Sequence, residues 1–349
     1  MEKTPVLNEG QGGGRVKKVD GRRRNKTAEL LLNQLKLAQG KWISGEALSR
    51  QLQVSRTAVW KHICALKTEG YRIDSATRKG YLLREIPDLL RPQELREGLK
   101  TVCIGQVEIR YFDRTDSTNL RAKAMAADGA PEGTLVIAEE QTQGRGRRGR
   151  NWFSPPGAGI YLSLILRPGI LPQEAPRFAL LTATAVAEAV REITMLETRI
   201  KWPNDILVGG RKLGGILTEI SMEMDKVEYM IVGLGLNVNL AREAFPPDLQ
   251  ELGTSIQVEM GRFLPRLPLV RRILEKFEET YQEYQRQGFA SIRSRWQAFT
   301  DMIGRTVAVD TMGRRFTGEV MDFDEDGYLV VREHNGGPVR LFSGDVSFI

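Results

Sequence analysis

Apolar positions recur along this chain in two periods, and the switch between them divides it. Over residues 27–68 the spacing is helical. Leu30, Leu31, Leu35 and Leu37 form one stripe, and Ala58, Val59, Ile63 and Leu66 form another that faces inward. Ser44 and Ser55 stand where N-caps belong, which predicts a second helix reaching about Leu52 and a third running from Ser55 to Thr68, ended by Gly70. The short link Gln53-Val54 makes the pair a helix-turn-helix. Residues 71–83 then read as a hairpin with Arg78-Lys79-Gly80 near its turn, the winged form of that motif.

The prolines of Ile86-Pro-Asp-Leu-Leu-Arg-Pro92 mark a linker. Beyond it, strands are predicted at 107–112, 135–138, 160–166, 199–202, 206–208, 214–220 and 228–236, with Gly209-Gly210 as a hairpin turn. Helices are predicted at 120–127, 177–193, 265–287 and 289–299. Strands and helices without strict alternation imply a mixed-sheet α+β domain. From residue 301 the strands shorten to 306–310, 315–323, 328–331 and 339–341, separated by glycine-containing turns, which predicts a small β-barrel. Residues 1–26 carry almost no apolar periodicity and read as a disordered basic arm. The expected domains are therefore 1–26, 27–86, 87–300 and 301–349, a multidomain α+β chain.

Composition sharpens this picture. Hydrophobic content of 41% and charged content of 27% in 349 residues are those of a soluble globular protein. No apolar run is long enough to span a membrane, and the first residues lack a signal-peptide core. Cys64 and Cys103 are too few and too far apart for a disulfide framework or a zinc site, which fits a reducing cytoplasm. The net charge of +7 splits into +10 over residues 1–86 and −3 over the rest, so the front of the chain is built to meet a polyanion. In a helix-turn-helix the start of the third helix enters the major groove, making Ser55, Arg56, Thr57, Trp60 and Lys61 the expected DNA contacts. For Trp60, packing beneath the helix is the alternative.

Candidate chemistry begins at residues 141–153, Gln-Thr-Gln-Gly-Arg-Gly-Arg-Arg-Gly-Arg-Asn-Trp-Phe. Gly144, Gly146 and Gly149 let backbone N–H groups turn toward a ligand, and Arg145, Arg147, Arg148 and Arg150 are permanent cations. A Ser117-Thr-Asn119 cluster at a helix start offers donors to a small polar ligand, or simply caps that helix. Further signatures are Lys201-Trp-Pro-Asn-Asp205, Lys212-Leu-Gly-Gly-Ile-Leu217 and Gly233-Leu-Gly-Leu-Asn-Val-Asn239. Taken in order, GRGRRG, KWPND, KLGGIL and GLGLNVN resemble the biotin–protein ligases. With the N-terminal domain added, the chain is similar to their bifunctional form, the biotin operon repressors, from about Asn25 onward.

That resemblance implies a catalytic domain like the class II aminoacyl-tRNA synthetases, an SH3-like C-terminal domain, and ATP and biotin as substrates with Mg²⁺. It implies that Ser117, Thr118, Asn119 and Gln141 hydrogen-bond the biotin ureido ring and its surroundings. Gly146 would allow close approach, Trp152 would lie near the ring or the adenine, and Asn237 would sit in the nucleotide region. Gly214 and Gly233 join the same set. Its implied partners are a biotin carboxyl carrier protein, operator DNA, and a second copy of the chain once the adenylate is bound.

The residues themselves agree with adenylate chemistry. G-x-x-x-x-G-K-[ST] is absent, and only His62 and His334 occur, neither in the central domain, which excludes a P-loop NTPase and a histidine triad there. G-x-G-x-x-G at residues 144–149 lacks the strand–turn–helix setting of a dinucleotide site. Acyl-adenylate formation needs no protein nucleophile, only cations aimed at growing charge and placement of two reactants. Lys201 is the expected central cation, Arg145 and Arg147 the residues that close over the adenylate, and Asp205 or Glu219 a minor aid to Mg²⁺. Three other readings remain: a ligand-sensing repressor with an inactive ligase domain, a ligase for a related acid such as lipoate, and a ligase whose N-terminal domain has no operator.

Overall fold

In the computed structural model, which describes residues 17–349 apart from 312 and 335 and side chains from Thr27 onward, the chain divides into two units, Met1–Pro87 and Asp88–Ile349. The first contains α1 (Lys17–Leu37), α2 (Gly45–Leu52), α3 (Arg56–Thr68), β1 (Arg72–Ala76) and β2 (Gly80–Glu85). Both predicted caps form. Ser44 Oγ accepts from the Ala47 N–H at 3.0 Å, and Ser55 Oγ accepts from the Ala58 N–H at 3.2 Å. The core is Leu31, Leu32, Leu35, Leu48, Val59, Ile63, Leu66, Tyr71 and Ile73. Leu30 and Leu37, expected in the first stripe, are exposed, and Leu32 takes their place.

α1 also starts earlier than expected, so residues 17–26 belong to a helix and not to the predicted arm. Val19 is the only apolar side chain among them, so periodicity had nothing to register. The rest of that arm, residues 1–16, lies outside the described residues. Gly80, at φ 100°, closes the hairpin where a Cβ would strike the backbone of Ile43, which bridges to Tyr81.

The second unit opens with α4 (Pro92–Arg96), β3 (Ile109–Thr115), α5 (Thr118–Ala127), β4 (Leu135–Gln141), β5 (Gly159–Leu166) and α6 (Pro176–Thr194). There follow β6 (Thr198–Lys201), β7 (Asp205–Val208), β8 (Arg211–Glu223), β9 (Lys226–Asn237), α7 (Ile256–Met260), α8 (Arg266–Gln287) and α9 (Phe289–Gln297). The seven strands order as β3-β4-β5-β9-β8-β7-β6. Only β3 and β4 are parallel, so the sheet is mixed, as the pattern predicted. Gly209 and Gly210, at φ 55° and 76°, make the predicted turn.

Both faces of this sheet are covered, by unequal layers. Leu135, Ile137, Leu164, Met230 and Val232 share a core with Phe178 and Leu181 of α6, Ile273 and Phe277 of α8 and Trp296 of α9. On the opposite face Val136, Ile165 and Ile231 pack against Ala122 and Ala126 of α5. α5 covers only part of that face, and the remainder is where the cavity lies.

A buried ion cluster fixes the entry to this unit. Arg266 is 1% exposed and pairs with Asp88 at 2.9 Å and Glu139 at 2.7 Å. It also donates to the Gly159 carbonyl at 2.9 Å, while Glu139 accepts from the Leu90 N–H at 2.8 Å.

The last segment is β10 (Thr306–Thr311), β11 (Arg314–Phe323), β12 (Leu329–Glu333), β13 (Pro338–Leu341) and β14 (Asp345–Phe348), one antiparallel sheet ordered β13-β12-β11-β10-β14. Its core is continuous with that of the larger sheet through Trp296, whose ring lies edge-on to Phe323 at 4.3 Å. The two short helices α4 and α7, and β14, had no expectation to match. None of the described helices is long and apolar enough to cross a membrane.

Candidate functional site

Strand period and glycine placement create the site. On β9, Ile231 lies under α5 and Gly233, Gly235 and Asn237 follow on the same face. On β8, Gly215 is paired with Gly235 and Leu217 with Gly233. The sheet is therefore bald where α5 ends its cover. Two side chains settle into the bare trough. Asn119, from the first turn of α5, lies so close that a Cβ on Gly233 would overlap its carboxamide. The Trp152 indole lies over Gly235, where a Cβ would come within 2.5 Å of the ring, and near Gly215 at 3.3 Å.

Around them is a cavity of about 560 Å³. Ser117, Thr118, Asn119, Gln141, Arg145, Gly146, Arg147, Trp152, Lys201, Gly233 and Asn237, all expected in the site, line it. Gly214 does not. It points to the other face, against Leu236, and its neighbour Gly215 takes the lining position. A Cβ on Gly146 would meet no protein atom nearer than 3.4 Å, whereas at Gly144 it would strike the Trp152 carbonyl.

The polar end of the cavity is a closed network. Gln141 Oε1 accepts from the Thr118 N–H at 2.8 Å and from its hydroxyl at 3.1 Å, and Gln141 Nε2 donates to Ser154 at 3.0 Å. Ser163 donates to Asn119 Oδ1 at 2.6 Å and shares a 2.8 Å hydroxyl–hydroxyl contact with Thr118, and Asn119 Nδ2 donates to Glu219 at 2.8 Å. The cationic end is built from three places. Lys201 and Asp205 face each other across the β6–β7 hairpin, and Lys212 reaches the same carboxylate from β8, at 3.8 and 2.6 Å respectively. Lys212 Nζ also sits 5.5 Å from the centre of the Trp152 ring. Trp202, buried, donates its indole N–H to the Gly327 carbonyl and so ties the Lys201 hairpin to the last domain.

The four loop arginines point to different partners. Arg145 pairs with Glu219 at 3.1 Å. Arg147 donates to Asn204 Oδ1 and to the Gly344 carbonyl, both at 3.1 Å. Burial pulls the Arg147 guanidinium below its ordinary value, and the Arg148 and Arg150 charges pull the same way against Asp345 and Asp205. Asp205 and Glu219 are thus engaged by cations and an amide, and no group of three or more His, Cys, Asp or Glu able to hold a metal occurs among the described residues. The Trp152 indole N–H is buried against Gly235 without a hydrogen-bond partner. Lys212, Asn204 and Asp345 also line the site. The first two stand in motifs visible in the sequence, while nothing local marks Asp345.

In the first unit, Ser55, Arg56, Thr57, Trp60 and Lys61 are all exposed on or beside the start of α3. Trp60 is 56% exposed, so it does not pack beneath the helix. Arg56 is held by Glu46 at 2.6 Å.

A ligand cavity on a mixed sheet, joined to a helix-turn-helix, defines a class in which a small-molecule ligase and a DNA-binding module share one chain. The Biotin/lipoate A/B protein ligase family matches residues 111–237, an HTH domain residues 27–82, and the Biotin protein ligase C terminal domain residues 302–349. The chain is 42% identical to the bifunctional ligase/repressor BirA of Bacillus subtilis over 88% of its own length and 94% of that protein's. It is 30% identical to the protein of that name in Escherichia coli, over 88% and 96% of the two chains. Among solved structures, a biotin protein ligase from Aquifex aeolicus in complex with biotin and ATP superposes with a TM-score of 0.60 at 28% identity, covering 70% of this chain and 99% of that one. The chain belongs to the bifunctional ligase/repressor family of biotin protein ligases.

Proposed function

We propose that the second unit joins biotin to ATP to form biotinyl-5′-AMP, then transfers the biotinyl group to a lysine of a biotin carboxyl carrier protein, and that the first unit represses biotin genes. The observation that carries this is one cavity lined both by Thr118, Asn119 and Gln141 of the polar network and by the Arg145, Arg147, Lys201 and Lys212 cations, with the Trp152 indole in the same trough. Biotin has a part for each: a ureido ring for the amides and hydroxyls, an apolar middle and a carboxylate for the cations.

In the first step the biotin carboxylate oxygen attacks the α-phosphorus. The bond to the β-phosphate bridge breaks and pyrophosphate leaves with the electron pair. Lys201 and Lys212 share the single charge of Asp205, leaving net positive charge for the α-phosphate and the biotin carboxylate. Arg147 and Arg145 meet the phosphate oxygens, and the mixed anhydride is held until the carrier lysine attacks its carbonyl and AMP departs. Mg²⁺ rides on the ATP phosphates, because the nearby carboxylates already have partners. Ser117, Thr118, Asn119 and Gln141 orient the ureido ring.

The finer reading of the fold belongs to the same proposal: a catalytic core like the class II synthetases and an SH3-like last domain, supported by the mixed sheet and by five short antiparallel strands. So do a cytoplasmic setting, supported by two free cysteines, and adenylate-dependent pairing of two copies through the central sheet. β3, at one end of that sheet, is paired with β4 on one side and has no strand on its outer side among the described residues. Two paired winged domains match a two-fold operator, and carrier protein competing for the sheet lifts repression.

Mixing the protein with biotin, MgATP and an apo carrier domain is expected to add the biotinyl mass to one carrier lysine. Pyrophosphate release without biotin dependence, or none at all, would instead favour a sensing repressor with an inactive ligase domain. A first variant tests the trough. Gly233→Ala pushes Asn119 out of place, so biotin affinity by calorimetry is expected to fall roughly tenfold or more with the fold retained. Unchanged affinity would remove Asn119 from the ring pocket.

A further inference from the structure

Four arginines within six residues repel one another, and the structure sorts them. Arg145 turns to Glu219, whereas Arg147, Arg148 and Arg150 all reach the last domain, Arg147 and Arg150 from the cavity wall. Asp345, at the head of β14, takes Arg150 at 2.5 Å and Arg148 at 3.3 Å, and lies 3.9 Å from Arg147. Arg148 also pairs with Asp310 at 3.0 Å, and Arg315 pairs with that carboxylate at 2.6 Å. Hydrogen bonds from Arg148 and Arg315 hold the Asp310 carboxyl below its usual range, so it stays an anion.

Three features turn this arrangement from a surface ion-pair network into a device. Asp345 lines the main cavity, and its side chain is only 19% exposed, so its charge is felt inside. Arg148 holds a left-handed backbone, φ 54°, which a non-glycine residue keeps only where its surroundings fix it. A second hollow of about 430 Å³ shares Arg150, Asp345 and Ser347 with the main cavity and adds Asp310, Arg315 and Thr317. Arg147 and Arg150 line the main cavity, Arg150 and Arg315 line the second hollow, and Arg148 joins them from outside through Asp345 and Asp310, the carboxylates that neutralise the outer guanidiniums.

A carboxylate on two guanidiniums occupies the positions in which guanidiniums grip a phosphate. We infer that Arg148 and Arg150 form an exit subsite for inorganic pyrophosphate, and that Asp345 is its built-in competitor, taking the two guanidiniums back and driving the product off. This rests on the adenylation reading, which makes pyrophosphate the first product. Asp345 touches the arginines and not the reacting atoms, so its part is to set how long that product stays.

The charge argument fixes a sign that a structural role would not share. Removing a negative charge beside a polyanion site tightens polyanion binding, whereas loosening the loop would weaken it. The experiment is calorimetry of inorganic pyrophosphate with Mg²⁺ against the full-length protein. Asp345→Asn is expected to bind it about tenfold tighter than the parent chain, and its biotin-dependent turnover is expected to be inhibited at correspondingly lower pyrophosphate. Asp345→Asn combined with Arg150→Ala is expected to lose most of that gain. Equal or weaker binding by Asp345→Asn overturns the inference, as does a gain that survives the loss of Arg150. Carrier biotinylation by the parent chain is measured alongside. If it occurs while the Asn variant binds pyrophosphate no more tightly, the exit subsite alone fails. If the parent chain makes no adenylate, the ligase reading fails with it.

Discussion

Lys201→Ala and Lys212→Ala are each expected to lower the rate of biotinyl-5′-AMP formation by about 10²–10³, with much smaller changes in biotin affinity. Each ammonium shares Asp205 with the other, at 3.8 and 2.6 Å, on the wall of the cavity. Losing one leaves Asp205 to claim the survivor, so the charge offered to the α-phosphate falls by more than one ammonium's share. The Lys201 hairpin is tied down by Trp202, which fixes where that ammonium can reach. Single-turnover kinetics in biotin and MgATP provide the check. A loss under tenfold for both variants would leave the site without its proposed electrostatic centre.

Arg266→Ala is expected to be the most destabilising single change in the second unit. Its guanidinium, 1% exposed, is the cation for Asp88 and Glu139, and it satisfies the Gly159 carbonyl. Truncation strands carboxylates in the interior, which costs about 3–5 kcal/mol when a buried pair is broken from one side. Chemical denaturation is expected to show that loss, with Arg266→Lys intermediate because an ammonium cannot fork across both carboxylates. A loss below about 1 kcal/mol would mean that water reaches the cluster.

What the sequence discloses follows from range. Ser44 and Ser55 each cap a helix through an N–H three residues ahead, and Gly209-Gly210 turns a hairpin in place, so local chemistry was enough for each. The cavity's polar residues were legible because they sit in short motifs. Gly214 and Gly215 were not separable, since one step along a strand exchanges faces and nothing in Gly-Gly says which residue looks inward. Lys212 stood in a quoted motif, but its role appears only once β7 and β8 pair and bring it to Asp205. Asp345 lies 195 residues from Arg150, and the fold alone joins them. In the same way Leu32 and Leu37 look alike until tertiary packing selects one.

Trp202 reaches Gly327, Arg147 reaches Gly344, and Asp345, Ser347 and Phe348 wall the cavity. Engineers seeking a smaller labelling enzyme thus have little to gain by trimming the C-terminal sheet. The fragment would keep the motifs by which its relatives are recognised while losing one side of the chamber, and its homology would promise more than its chemistry could deliver.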